Sequence, residues 1–210
     1  MYIAIAGNIG SGKSTLTGLL AERYRLHPVY EAVEENPYLA DFYQDMKSWA
    51  FHSQVFFLAK RLDQHLSEIN RRARIVQDRT VFEDAHVFAR NLYQAGYFSE
   101  RDWSTYNALF AGVARALRRP DLLIYIHAGV ATLKARIAKR GRAYERAIPE
   151  NYLAALNQLY EEWVGGIKDV PVLTLPGDEL DFVENPEDRS WIYQQLEVRG
   201  LQPFELFEEP

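Results

Sequence analysis

Three groups of residues in this 210-residue chain have the types and spacing to do chemistry. The first is Gly7-Asn8-Ile9-Gly10-Ser11-Gly12-Lys13-Ser14, followed by Thr15, which fits G-x-x-x-x-G-K-[ST]. Its glycines let consecutive backbone N–H groups turn inward around phosphates. Lys13 reaches the terminal phosphates, and the Ser14 hydroxyl can ligate magnesium. The apolar run before the loop and the helical pattern after it are the setting the motif requires. The positive end of that helix favours the same anion. The ligand read here is a nucleoside triphosphate with Mg2+. The loop alone does not say what receives the phosphate.

The second group is carboxylate and arginine. Glu31 closes the apolar run "HPVYE". Ligands of open α/β sheets sit beyond the carboxyl ends of strands, where a carboxylate can take the proton of an attacking hydroxyl. Glu34 and Glu35 are rivals, and Glu31 taken alone reads more readily as a solvated surface acid than as a base. In "QDRTVFED", Asp78 can reach magnesium and Arg79 can neutralise a transferring phosphoryl group. The same stretch reads as a helix start, with Asp78 or Thr80 capping and Glu83 in the capping-box place. Both readings hold together. The third group is "LKARIAKRGRAYE". Arg136, Lys139, Arg140 and Arg142 either complement a helix dipole or form an arginine-rich lid, about 136–148, that excludes water over the triphosphate.

A switch or motor ATPase carries a second acid at the end of an apolar strand. "DLLIYIHA" ends without one, and Gln77 interrupts the strand before Asp78. That favours a kinase for a small acceptor.

The elements that must position these groups follow from periodicity. Strands are expected at 2–6, 28–31, 74–77, 121–127 and 170–175. Helices are expected at 13–25, 46–70, 81–94, 100–117, 130–140 and 149–167. Strands alternating with helices predict an α/β fold with a parallel sheet. No repeat or linker divides residues 1–210, so one domain is expected, with a tail at 204–210 that frays. Hydrophobic residues make up 48% of the chain, enough for a full core. The absence of cysteine excludes disulfides, thiolate metal sites and a cysteine nucleophile. A net charge of −5 without a basic face argues against nucleic-acid polymers as partners. No run is long enough to span a membrane and no charged leader opens the chain, so a soluble cytoplasmic protein is expected. His27, His52, His65, His86 and His127 lack metal-ligand spacing, which leaves magnesium as the expected metal.

"GNIGSGKST", "YEAVEENPYL", "WAFHSQVFFLAKR", "QDRTVFEDAHVFARNLY" and "RIAKRGRAYE", in that order, resemble the deoxynucleoside kinase family over nearly the whole chain. "ENPYL" and "DRTVFED" resemble its bacterial deoxyadenosine/deoxycytidine branch. The resemblance implies a P-loop kinase fold with five parallel strands in order 2-3-1-4-5. It implies salvage chemistry: ATP with magnesium phosphorylates the 5′-hydroxyl of a 2′-deoxynucleoside. By the same resemblance Glu31 is the base, and Arg79 lies beside it and the 5′-oxygen. Tyr43 and Glu145 hold the sugar 3′-hydroxyl. Gln54 pairs with the nucleobase edge, with Arg61 and Asp84 as polar neighbours. Arg136, Arg140 and Arg142 match the lid arginines, and Asp181-Phe182 the loop over the donor adenine. Asp78 is one methylene shorter than the family's usual glutamate, so its magnesium contact can be direct or run through a bridging water. A homodimer through 46–70 and 81–94 is also implied.

The planar amide of Gln54 offers one donor and one acceptor face to adenine or cytosine, or to guanine if turned over. Trp49, Phe51, Phe56, Phe57 and Phe82 are candidates to stack on that base, and the branch favours deoxyadenosine. Two alternatives differ in kind. A thymidylate-type monophosphate kinase needs a basic acceptor pocket, whereas Tyr43 and Glu145 suit an uncharged sugar. A nucleotide-binding switch or assembly ATPase would hydrolyse ATP without an acceptor.

Overall fold

The structure is a computed structural model and describes residues 1–31, 35–145 and 148–203. Glu34, residues 146–147 of the expected lid and the 204–210 tail lie outside the described residues. The run "YIAIAG" is buried at every position and forms the central strand, β1 (Tyr2–Gly7). Its neighbours are β3 (Ile75–Asp78) and β4 (Leu122–His127), with β2 (His27–Val29) and β5 (Val172–Pro176) at the edges. All pairings are parallel, and the order is β2-β3-β1-β4-β5, as expected.

Period-two alternation sends side chains to both faces of this sheet, so both must be covered. Ile3 and Ile5 pack with Leu16, Leu20 and Tyr24 of α1 (Lys13–Tyr24), and with Ile192 and Leu196 of a C-terminal helix. Tyr2, Ala4 and Ala6 face the opposite core. There lie α2 (Leu39–Gln44), α3 (Met46–Ser67) and α4, a continuous helical run over 81–94. Next come α5 (Glu100–Ala114), α6 (Val130–Arg140) and α7 (Glu150–Gly166), which supply Tyr106, Leu133 and Leu156 to that core. The C-terminal helix is α8 (Pro186–Glu197).

Several bounds differ from expectation for identifiable reasons. β2 stops at Val29, its last residue in register with β3, so Tyr30 and Glu31 leave the sheet and turn toward its carboxyl edge. β3 runs through Gln77 to Asp78 because the buried Gln77 Oε1 accepts a hydrogen bond from the Tyr2 hydroxyl. A polar side chain is tolerated in a buried strand when it has such a partner. Helix α3 ends at Ser67, and a short 3-10 turn, Ile69–Arg71, follows. Within α4 the segment Asp84–Ala89 is π-helical. Most of α4 is buried inside this chain, so its apolar face is covered without a second copy. Helices α2 and α8 were not expected. The start of α8 carries a legible signal, since Asn185 caps it and Pro186 takes the first turn.

Leu156 is fully buried in the core beneath α7. Leu156→Ala is expected to lower unfolding free energy by about 2–5 kcal/mol. Val198→Ala, at an exposed position, should stay within about 0.5 kcal/mol. Urea denaturation of both variants checks the contrast.

Candidate active site

The chain leaves β1 at Gly7 and wraps into the phosphate loop. The Asn8 side chain accepts from Ile9 N–H at 2.7 Å and donates to Leu153 O at 2.9 Å and Asn157 Oδ1 at 2.7 Å. These bonds fix the loop to α7. Gly10 and Gly12 have φ of +83° and +101°. A Cβ at Gly10 would stand 2.8 Å from Leu133 O, and one at Gly12 2.8 Å from the Phe182 ring, so neither site has room for a side chain. Lys13 opens α1, and its Nζ folds back to donate to Asn8 O at 3.0 Å. Burial, and then the nearby Arg79, lower its pKa to about 8. Ser14 Oγ donates to Asp78 Oδ2, while Asp78 Oδ1 is buried without a partner.

Glu31 lies just past β2, facing two guanidinium groups. Arg61 Nη2 donates to its Oε1 at 2.8 Å, and Arg79 Nε stands 3.5 Å from Oε2, an ion pair without a hydrogen bond. Burial pushes the Glu31 carboxyl up, but Arg79, Arg61, Lys13 and Arg142 outweigh it and hold the pKa below its ordinary value. The group is a carboxylate at neutral pH. Arg61 also donates through Nη1 to Arg79 O at 3.1 Å and through Nε to Asp84 Oδ2. Burial raises the pKa of Asp84 to about 6 despite Arg61 and Arg79. Arg79 itself has φ +64°, a strained conformation for a side-chain-bearing residue, costing about 1–3 kcal/mol. Its N–H donates to Ile5 O at 3.0 Å, and its guanidinium stacks 4.2 Å over the Phe88 ring.

Two cavities meet at this place. One, of about 240 Å³, contains Glu31, Arg79, Tyr43, Gln54, Asp84 and Glu145 in its wall. The other, a cleft of about 680 Å³, is lined by Gly12, Thr15, Arg136, Asp181 and Phe182. Gly10, Lys13, Ser14, Arg140 and Arg142 belong to both. Arg61 lines neither; it is buried behind the wall of the smaller cavity. Gln54 Oε1 is buried with no partner.

Among the aromatic candidates, Phe57 lines the smaller cavity, whereas Trp49, Phe51, Phe56 and Phe82 do not. Leu39, Phe42, Phe88 and Tyr152 line it instead. Phe88 was legible, because it follows Asp84 by four residues and so shares its helical face. Glu35 is drawn away, pairing with Lys60 at 2.6 Å on the surface.

The basic residues at 136–142 divide. Arg136 donates to Ser11 O at 3.1 Å, Gly177 O at 2.8 Å and Leu180 O at 3.1 Å, and so ties the phosphate loop to the loop after β5. Arg140 makes a bidentate pair with the buried Glu145, at 3.0 and 2.7 Å, and Arg142 stands 3.5 Å from the same carboxylate. Asp181 Oδ1 accepts from Val183 N–H and Glu184 N–H, shaping the loop that lays Phe182 against Gly12.

A site with two cavities meeting at a phosphate loop fits a kinase with a separate acceptor. Residues 3–199 match the family model described as deoxynucleoside kinase. The chain belongs to the deoxynucleoside kinase family. As a member it is an ATP-dependent enzyme that phosphorylates deoxynucleosides. It is 35% identical to a deoxyadenosine/deoxycytidine kinase of Bacillus subtilis (strain 168), over 92% of this chain and 90% of that one. It is 35% identical to a deoxyguanosine kinase of Lactobacillus johnsonii, over 99% and 95%. The solved structure of a deoxyadenosine kinase from M. mycoides, with products dCMP and a flexible dCDP bound, superposes with a TM-score of 0.85 at 33% identity. That match covers 94% of this chain and all of the other. In this kinase, Gly10→Ala is expected to weaken ATP binding at least about tenfold, since the added Cβ strikes backbone. Calorimetric titration with a non-hydrolysable ATP analogue measures it.

Proposed function

We propose that this kinase transfers the γ-phosphoryl group of ATP in line to the 5′-hydroxyl of a 2′-deoxynucleoside whose base carries an exocyclic amino group. Deoxyadenosine is the first choice and deoxycytidine the second. The observation that carries this reading is the junction of the two cavities at Lys13 and Ser14, with Glu31 facing the smaller one. ATP takes the wider cleft, with its base under Asp181-Phe182 and its phosphates on the loop. The acceptor takes the smaller cavity. Family membership favours this acceptor over a nucleoside monophosphate and over water alone.

Glu31, ionised and pinned by Arg61, takes the hydroxyl proton as the new bond forms. Arg79 stabilises charge on the phosphoryl group in flight. Tyr43 and Glu145 hold the sugar. Gln54 Oε1 supports the choice of base: a buried acceptor without a partner calls for an N–H donor. The N6 amino group of adenine or N4 of cytosine supplies it, whereas thymine presents O4 in place of the amino group and only its ring N3–H as a donor. Asp84, on the same wall, is a second acceptor for such a group.

Magnesium fits the donor end. The Ser14 hydroxyl and the unpartnered Asp78 oxygen are hard oxygen ligands of the type it takes beside phosphates. It would supply charge neutralisation across the β- and γ-phosphates. Arg140 and Arg142 would belong to the lid of this proposal, and their pairs with Glu145 at the meeting of the cavities support that reading. Residues 1–210 act as one domain in this proposal, and the enzyme works in the cytoplasm. Among the described residues no helix is long and apolar enough to cross a membrane. A homodimer would use α3 and α5, where Leu66 and Leu109 remain exposed.

Purified enzyme given ATP and magnesium with each of four deoxynucleosides tests the reading. Expected is 5′-monophosphate, with kcat/KM highest for deoxyadenosine, then deoxycytidine. Absence of product from all four contradicts the reaction, and thymidine ranked first contradicts the choice of a base with an exocyclic amino group. Glu31→Gln is expected to lower kcat by about 10²–10⁴-fold, the usual span for a general base. Full turnover by that variant would remove Glu31 from the mechanism.

A further inference from the structure

Glu83 has no part in the chemistry above, yet its carboxylate is wholly buried where three elements converge. Thr80 N–H donates to Oε1 at 2.9 Å. The Tyr160 hydroxyl donates to Oε2 at 2.8 Å, and Gly7 N–H approaches the same oxygen at 3.3 Å. Gly7 ends β1 and begins the phosphate loop. Thr80 follows Arg79. Tyr160 belongs to α7, the helix that also holds Asn8.

A capping box accounts for only half of this. Glu83 does complete a box with Thr80 at the start of α4. Such a box needs one acceptor oxygen and is served by glutamine as well as by glutamate. Here the second oxygen faces two further donors. An amide has one acceptor oxygen, so in glutamine the NH₂ would oppose either Thr80 N–H or Gly7 N–H. In a wholly buried site that leaves a donor unsatisfied.

The turn at Arg79 supplies the second observation. Its left-handed backbone persists only if its surroundings over-determine it. Arg79 N–H is held by Ile5 O of β1 on one side, and Thr80 N–H by Glu83 on the other. Glu83 in turn reaches Gly7, two residues beyond Ile5. The Arg79 turn and the phosphate loop are thus stitched together through one carboxylate.

We propose that Glu83 is a positioning residue for phosphoryl transfer: it fixes the start of the phosphate loop against the turn that carries Arg79. It sets the alignment of donor and acceptor halves, and not the affinity of either, an inference that rests on the two-ligand reading above. Alignment acts on the transition state, and a misplacement of about 1 Å costs roughly a hundredfold in rate.

The test compares Glu83→Gln, Tyr160→Phe and the double variant with the unaltered enzyme, which must first be shown to make monophosphate. That requirement separates failure of Glu83 from failure of the reading. Calorimetry with a deoxynucleoside, and with a non-hydrolysable ATP analogue, gives each Kd and the fraction of competent sites. For Glu83→Gln, kcat per competent site should fall about thirtyfold or more, with both Kd values within about threefold. Tyr160→Phe, which leaves both backbone bonds, should lose about threefold. The double variant should be no slower than Glu83→Gln, because both changes act through one carboxylate. A Glu83→Gln kcat per site within about twofold of the unaltered enzyme overturns the proposal. So does a loss that appears wholly in the Kd for the ATP analogue. If Glu83→Gln does not fold, Tyr160→Phe decides alone: an unchanged kcat per site overturns the proposal.

Discussion

A guanidinium with almost no water around it must be surrounded by acceptors, and Arg61 meets that demand in a way that organises the site. Its rigid fork reaches the Glu31 carboxylate past β2, the Arg79 carbonyl past β3 and the Asp84 carboxylate on α4. These partners belong to three elements, and the fork permits few other relative positions. Removing one member of such a buried set leaves an uncompensated charge, at a cost of about 3–5 kcal/mol. Arg79, and after it Arg61, keep Glu31 ionised against the burial that would protonate it. Stability and chemistry are therefore joined at one side chain that does not line the cavity it serves.

The donor side is built differently, from neutral and charge-assisted bonds to backbone. Asn8 anchors the loop to α7, and Arg136 anchors it to the loop after β5. Gly10 and Gly12 allow helix α6 and Phe182 to approach closely enough to form the cleft. The loop is held from two sides, by α7 and by the loop after β5, which limits the reorganisation left for the moment of transfer. Where the two cavities meet, Lys13, Arg140 and Arg142 line both, and Arg79 lines the smaller. Glu31 pairs with Arg79, and Glu145 with Arg140 and Arg142.

The parts legible in the sequence are those with a local cause. The phosphate loop is readable because its glycines, lysine and serine act through backbone geometry within eight residues. Glu31, Asp78 and Arg79 are readable as a group because they lie at or just past the carboxyl ends of β2 and β3. The strand order came with the family resemblance; apolar runs do not specify which strand lies beside which. What escaped has distant causes. Gln77 continues β3 because of a tyrosine 75 residues away. The π segment in α4 leaves no distinctive period. Glu83 reads locally as a cap, and only burial brings Gly7 and Tyr160 to its second oxygen. Arg61 reads as a base-recognising neighbour of Gln54, whereas packing turns its donors toward protein. Arg136 reads as a lid residue, and three carbonyls from other loops claim it.

The claim that Arg61 acts by holding Glu31 is tested most directly by a double-mutant cycle on single-turnover phosphoryl transfer. Arg61→Lys keeps the charge but lacks the fork, and Glu31→Gln removes the base. If Arg61 works through Glu31, Arg61→Lys slows transfer by about tenfold or more in the unaltered enzyme and by less than about twofold beside Glu31→Gln. Equal slowing in both backgrounds would contradict the account and give Arg61 a role of its own.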